Sequence, residues 1–406
     1  MSTPEAVFAR VADAPGAVWL DGGAHSWSIL AWSPDEVQVG GDWMAFGRRS
    51  AARADGDAPF AGGCLGWVGY EATAAAAPPG TVPEPPTWLA RYAGGACFHP
   101  QHGWRVAGPP AFVRDATRWI ADTQPLPPPP PAPIRPTRTR ARAEYRDAFA
   151  AIQDWLAAGD CYQINLTRAV TAEGVGAPFD AYRRLRAASD AAYGAFLRPA
   201  ASLAVLSNSP ELLLDLDGRT VGSEPIKGTR RRDPRADAAL LAELDASPKE
   251  RAELAMIVDL VRNDLGRVAT LGSVRTAPRT LRSHATVHHA SQRVSATLQP
   301  GLDAWDALAA LSPPGSVTGA PKRRATERIA AVEPTPRGVY CGSIGFVSGP
   351  RAVWSVAIRT AVQHGDTARW QVGGGIVAGA DADAEWAETV AKGRALARAL
   401  AGVDDA

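Results

Sequence analysis

Apolar residues recur at helical spacing between Glu144 and Ala158, where Phe149, Ile152, Trp155 and Leu156 share one face and Gly159-Asp160 closes the run. The same period predicts a helix over Ser247 to Leu265, ending before Gly266. Elsewhere the pattern changes. Cys161 to Ala169 and Leu203 to Asn208 alternate or run apolar, as strands do. Residues 1–124 mix short apolar runs such as Gly16-Ala17-Val18-Trp19-Leu20 with glycine-rich stretches, notably Gly62-Gly63 to Tyr70, the pattern of short strands with close backbones. No regular strand–helix–strand period appears, so the arrangement predicts an α+β fold rather than a doubly wound sheet.

One discontinuity divides the chain. From Pro125 a proline run passes into the arginine-rich stretch Ile134 to Arg142. Proline removes backbone donors and fixes φ, so 125–142 is expected to be an extended, solvated linker between an N-terminal region, 1–124, and a larger catalytic domain, 143–402. Its arginines have no interleaved aromatics and are expected to solvate the segment rather than to form a nucleic-acid patch. Charge agrees with that reading: 43 basic residues balance 42 acidic ones, so nothing calls for nucleic acid or an anionic membrane, and any electrostatics must be local. With no basic start, no long apolar run and four scattered cysteines (Cys64, Cys97, Cys161, Cys341), the expectation is a cytoplasmic protein with buried thiols.

Candidate chemistry collects in three groups. Glu250 and Glu253, three apart on the predicted helix, share one side of a turn, and Glu385 and Glu388 repeat the spacing on the last predicted helix, just after the glycine-rich turn Gly373-Gly374-Gly375-Ile376-Val377. Four carboxylates brought together need a cation, and all-oxygen ligation suits Mg²⁺. Most isolated Glu-x-x-Glu pairs are merely solvated faces; the neighbouring glycine turn and the second group weaken that reading here. The second group is Ser209-Pro210-Glu211 with Pro225-Ile226-Lys227-Gly228-Thr229-Arg230. In an apolar turn Lys227 would be partly desolvated and nucleophilic, and a buried Glu211 could act as an acid. A surface cation and a salt-bridge partner are equally compatible with these residues alone. The third group, Ser316-Val317-Thr318-Gly319-Ala320-Pro321-Lys322, Tyr340-Cys341-Gly342 and Ile358-Arg359-Thr360, offers small residues through which backbone N–H groups reach an anion, and an arginine fork suited to a carboxylate.

Taken in order with Asp160 to Thr167, these motifs resemble the chorismate-utilising enzymes, a family that includes anthranilate, isochorismate, salicylate and aminodeoxychorismate synthases. The likeness runs from about Glu144 to Leu400, with a looser match at Gly62 to Tyr70. It implies large antiparallel sheets packed in a sandwich-like core with helices outside, and Mg²⁺ held by Glu253 and Glu388, supported by Glu250 and Glu385. It further implies that Gly228, Thr229 and Gly373 to Gly375 share in holding the ring carboxylate. Tyr340 and Arg359 would hold the enolpyruvyl carboxylate, Lys392 would add positive charge, and Gln163 and Thr318 would line the substrate site.

Two positions imply the branch. Isochorismate and salicylate synthases place a water-activating lysine where this chain has Gln163, and an amide is a poor base. Anthranilate synthases usually carry alanine at Lys227, whereas lysine there is characteristic of aminodeoxychorismate synthases. The resemblance thus implies amination of chorismate at C4 to 4-amino-4-deoxychorismate, with Lys227 as nucleophile, Glu211 as acid and His289 near the leaving hydroxyl; His288 is expected to be structural. Ammonia would come from a separate glutamine amidotransferase subunit, since the cysteines lack a sharp nucleophile turn. The alternatives are an anthranilate synthase component and a non-catalytic chorismate-binding homologue.

Overall fold

The computed structural model describes residues 2–24, 26–50, 58–188, 191–233, 235–283 and 287–404. Its frame is two large antiparallel sheets. The larger, of eleven strands, runs from Gly319–Ala320 through Gln163–Glu173, Thr367–Val377, Thr360–His364, Leu203–Ser209 and Tyr193–Ala200 to Ala17–Asp21, Ser28–Ala31, Gly95–His99 and Gly103–Ala107. The nine-stranded sheet is built around Leu212–Asp217, Arg351–Val356, Ser343–Ser348, Gly63–Val68 and Thr87–Tyr92. A small third sheet joins Ile226–Arg231, Val287–Ser291 and Thr280–Ser283. The α+β, sandwich-like architecture with outer helices is as the sequence implies.

Burial along the strands explains the stacking. Every residue of Leu203–Ser209 is buried. Leu203 and Val205 pack with Val18, Ile29, Leu65, Trp67 and Ile344 in the core between the sheets, whereas Ala204 and Leu206 pack outward beneath helices, with Leu396 and Leu400. A strand covered on both faces reads as a continuous apolar run. The other outer core lies against the nine-stranded sheet and holds Ile257, Val261 and Leu308.

Strands from before and after the proline segment share both sheets: Ala17–Asp21 pairs with Tyr193–Ala200, and Gly63–Val68 with Ser343–Ser348. The segment itself is held against the body. Arg183 Nη2 donates to Pro127 O, Arg184 Nη1 to Pro130 O at 2.9 Å, and Arg135 N to Ala401 O at 2.9 Å, while Thr137–Thr139 adds a short strand beside Gln163–Glu173. The segment is extended and none of it is buried, and it is strapped to the body at these points because neighbouring arginines satisfy carbonyls that a proline run leaves open.

Two helices carry the glutamates inward. Pro248–Gly266 starts at an N-cap, Ser247 Oγ accepting from Glu250 N at 3.4 Å, and buries Leu254, Ile257, Val258, Val261 and Leu265. Glu250 and Glu253 lie one turn N-terminal on that same stripe, so the face that fixes the helix also aims the carboxylates. Ala382–Ala401 starts at Asp381, which caps Asp383 and Ala384, and ends at Gly402 with φ 66°. Its buried face begins with Glu385 and continues through Thr389, Gly393 and Leu396.

Candidate active site

The chain crosses between the large sheets at Pro210-Glu211, directly after Leu203–Ser209 and before Leu212–Asp217. Ser209 Oγ donates to Val356 O, and Glu211 O accepts from Val356 N at 3.0 Å, which pins the crossing. Glu211 is 5% exposed. Burial pushes its carboxyl up to about 7, against the opposing pull of the Ser316 hydroxyl and of the Lys227 and Lys392 charges. Such a group is a half-protonated acid near neutrality. A small cavity beside it is lined by Ser223, Pro225, Asp264 and Ser316.

Lys227 lies on the strand Ile226–Arg231, not in a turn. A bulge at Gly228, φ 73°, breaks the register with Val287–Ser291 between Lys227 and Thr229. The local kink leaves the Lys227 side chain largely buried, with Nζ 4.0 Å from Glu253 Oε2. Burial lowers its pKa, and the Lys392 charge adds to that, while Glu253, Glu211 and Glu388 oppose. A Cβ at Gly228 would meet Leu244 at 2.6 Å and Glu250 Oε2 at 3.0 Å, so only glycine lets this backbone approach the helix. Thr229 Oγ1 is 3.0 Å from His289 Nδ1, and His289 is buried. His288, also buried, is held between Ser283 at 2.8 Å and Asp237 at 3.2 Å.

The glycines Gly373, Gly374 and Gly375 sit inside the long strand Thr367–Val377, opposite Thr167, Leu166 and Asn165, where a turn was expected. Their role is clearance. A Cβ at Gly374 would fall 2.9 Å from Glu385 Oε2, and one at Gly375 would fall 2.8 Å from Gln163 Nε2. Gly373 O accepts from Lys392 Nζ at 3.0 Å. Gln163 is fully buried, and neither amide atom has a hydrogen-bond partner among the described residues. A buried amide left open costs free energy, and this one lies against Gly375 at the end of the strand.

The four glutamates approach one another from the two helices, with lysines among them. Lys249, missed by the sequence reading, places Nζ 3.9 Å from both Glu253 Oε1 and Glu385 Oε1. Lys392 Nζ is 2.6 Å from Glu388 Oε1, and Arg230 Nη1 is 3.3 Å from Glu250 Oε1. Burial raises the carboxyls of Glu253 and Glu385; for Glu385 the nearby Glu388 adds to the rise. Burial also acts on Glu388, but the Lys392 ammonium outweighs it and holds that carboxyl below its ordinary value. As the side chains stand, no set of three or more His, Cys, Asp or Glu is gathered for a metal among the described residues. The donor chemistry nonetheless fits Mg²⁺, which takes one or two carboxylates and completes its shell with water and substrate oxygens. The Lys249 ammonium already bridges the helices where a cation would serve.

The third group is built on two linked segments. Tyr340 is buried, and the next residue, Cys341, has φ 64°. Cys341 N donates to Ala357 O at 2.9 Å and Ala357 N to Gly342 O at 2.8 Å, so the Tyr340 turn is tied to the segment carrying Arg359. Arg359 takes φ 51°, burial lowers its pKa, and among the described residues no carboxylate pairs with it. An unpaired, desolvated guanidinium is ready for an anion. Thr318 is built into the turn: its Oγ1 donates to Pro314 O at 2.9 Å, and its carbonyl accepts from Asn165 N at 2.8 Å. Lys322 pairs with the buried Asp264 at 2.6 Å behind it.

A separate cavity of about 260 Å³ opens between the two large sheets, lined by Asp21, Trp27, Tyr193, Asp215 and Arg351 among others, and contains none of the site residues named from sequence. Among the described residues, no helix is long and apolar enough to cross a membrane.

Comparison with known proteins converges on one family. The chain is 35% identical to anthranilate synthase component 1 of Streptomyces coelicolor over 95% of this chain and 82% of that protein. It is 43% identical to aminodeoxychorismate synthase component 1 of Salmonella typhimurium, over 62% of this chain and 56% of that one. The crystal structure of anthranilate synthase component I from Streptococcus pneumoniae superposes with a TM-score of 0.82 at 28% identity, covering 93% of this chain and 94% of its own. The sequence pattern described as chorismate binding enzyme matches residues 19–398, and the chain belongs to that family.

Proposed function

We propose that the protein aminates chorismate at C4 with ammonia, giving 4-amino-4-deoxychorismate through a covalent adduct at Lys227. The observation that carries this reading is the buried Lys227 amine, of lowered pKa, set 4.0 Å from Glu253 and electrostatically coupled to the protonatable Glu211. The substrate's two carboxylates are taken by the ends of the site: Tyr340 and Arg359 take the enolpyruvyl group, and Gly228, Thr229 and the Gly373–Gly375 strand face the ring carboxylate. Glu253 and Glu388, with Glu250 and Glu385 behind them, would hold Mg²⁺, whose charge offsets that of the ring carboxylate when bound.

The neutral Lys227 amine forms a bond to a conjugated ring carbon. The double bond shifts, the C4–oxygen bond breaks, and Glu211 supplies the proton with which the hydroxyl leaves as water. Ammonia then attacks C4, the double bond returns, and the lysine departs as a free amine. The proton released from nitrogen goes back to Glu211, and the enolpyruvyl group is retained. His289, 3.0 Å from Thr229 on the strand that pairs with that of Lys227, is the residue we assign to orienting the leaving hydroxyl. Ammonia is supplied by a separate glutamine amidotransferase subunit, consistent with relatives named as a component 1.

One observation favours a second reading, anthranilate synthase component I: the Streptomyces relative matches nearly the whole chain, whereas the Salmonella one matches under two thirds. Incubation with chorismate, Mg²⁺ and ammonia separates the two. Amination yields a product that keeps the enolpyruvyl group; appearance of anthranilate fluorescence with pyruvate would replace the first reading by the second.

A further inference from the structure

We propose that Glu71, contributed by the N-terminal part of the chain, is a positioning residue for the carboxylate-binding end of the site and acts through the turn that carries Tyr340. Its carboxylate accepts from two successive backbone N–H groups, Oε1 from Arg337 at 2.6 Å and Oε2 from Gly338 at 2.9 Å. The adjacent Tyr70 N donates to Gly338 O at 2.9 Å, so residues 70 and 71 hold both polar groups of Gly338. Gly338 has φ 66°, and a Cβ there would lie 1.9 Å from Glu84 Oε1, a second carboxylate of the N-terminal part.

What this grip fixes is more than one loop. The Arg337 guanidinium is fully buried beneath Tyr70, 4.6 Å from its ring centroid. It donates to both carboxylate oxygens of Glu333, at 2.9 and 2.7 Å, to Val317 O at 2.7 Å and to Asn165 O at 3.0 Å. Glu333 Oε1 also accepts from Thr167 N at 2.9 Å. Arg337 therefore joins the strand of Gln163, the turn of Thr318 and the end of the helix Lys322–Val332 at one point, and Glu71 holds the backbone of that point. Tyr340 follows three residues later, tied through Cys341 and Gly342 to the segment of Arg359. Charge-assisted bonds to two N–H groups are stronger than neutral ones, so losing one loosens the turn that carries a group holding the substrate carboxylate.

A carboxylate contact is made equally in the ground state and the transition state, so loosening it raises Kd and KM while leaving kcat nearly unchanged. The inference rests on the site binding chorismate and is independent of which product forms. The test is calorimetric titration of chorismate with Mg²⁺ present into wild type, Glu71→Gln and Glu71→Asp, with steady-state rates and thermal melts alongside. Glutamine turns one acceptor into a donor facing an N–H group, so Kd and KM are expected to rise about tenfold in Glu71→Gln, with kcat within about twofold of wild type. Glu71→Asp keeps both acceptors and is expected to be intermediate; it decides the matter if the glutamine variant does not fold. Unchanged Kd in the variants, or a fall in kcat at constant KM, overturns the inference alone. A wild-type protein that binds no chorismate overturns the reading of the site and the inference with it.

Discussion

Replacing Glu211 by glutamine separates the acid role from a structural one, because stability and activity are expected to move in opposite directions. The carboxyl is 5% exposed and its pKa is pushed to about 7, whereas an unfolded glutamate titrates at about 4.3. The fold thus prefers the protonated form. That contribution is fully present below pH ~4 and is lost as pH rises through about 7, amounting to roughly 4 kcal/mol. Glutamine keeps the shape and cannot ionise. In urea unfolding, Glu211→Gln should match wild type near pH 4 and exceed it by up to about 4 kcal/mol at pH 8. Activity should collapse. The protonated fraction of Glu211 falls from about nine tenths at pH 6 to about one tenth at pH 8 while the neutral fraction of Lys227 rises, so the wild-type kcat/KM for chorismate at fixed free ammonia should stop climbing with Lys227 deprotonation and pass through a maximum, and the variant should lose about a hundredfold or more throughout. Wild-type rates in the variant, or a variant less stable than wild type at pH 8, would refute the assignment.

Intact-mass measurement of wild type incubated with chorismate and Mg²⁺ without ammonia should show a protein–substrate adduct that Lys227→Ala lacks; an adduct persisting in that variant removes Lys227 from the mechanism. Gly374→Ala places a methyl group 2.9 Å from Glu385 Oε2, and the Mg²⁺ concentration for half-maximal rate should rise about tenfold without loss of fold by circular dichroism. Glu333→Ala leaves the Arg337 charge buried and unpaired, so urea unfolding should show a loss of about 3–5 kcal/mol.

The parts of the fold that bury one stripe against a core were legible in the sequence. The helices Arg142–Ala157 and Pro248–Gly266 and the strand Leu203–Ser209 lie within a few residues of the segments their periodicity marks. The interleaving of the front and back of the chain was not, because the register of Ala17–Asp21 against Tyr193–Ala200 is a matter of tertiary packing that neither strand encodes alone. Gly373–Gly375 read as a turn because glycine signals turns, yet these glycines clear space in a strand for the Gln163 and Glu385 side chains. Lys227 sits on a bulged strand for a related reason: Gly228 admits Glu250. Of the site, the paired glutamates were visible through their spacing. Lys249, Arg337 and Glu71 were not, since a single charged residue in a proline- or glycine-flanked segment has no period, and its importance lies in what the fold brings to it.

The most direct test of the central claim is the identity of the product formed by the wild-type protein from chorismate, ammonia and Mg²⁺, read by mass spectrometry. The account predicts a compound with the chorismate skeleton intact, its ring hydroxyl replaced by an amine and no pyruvate released. Anthranilate with an equivalent of pyruvate, or isochorismate with no nitrogen incorporated, would contradict it.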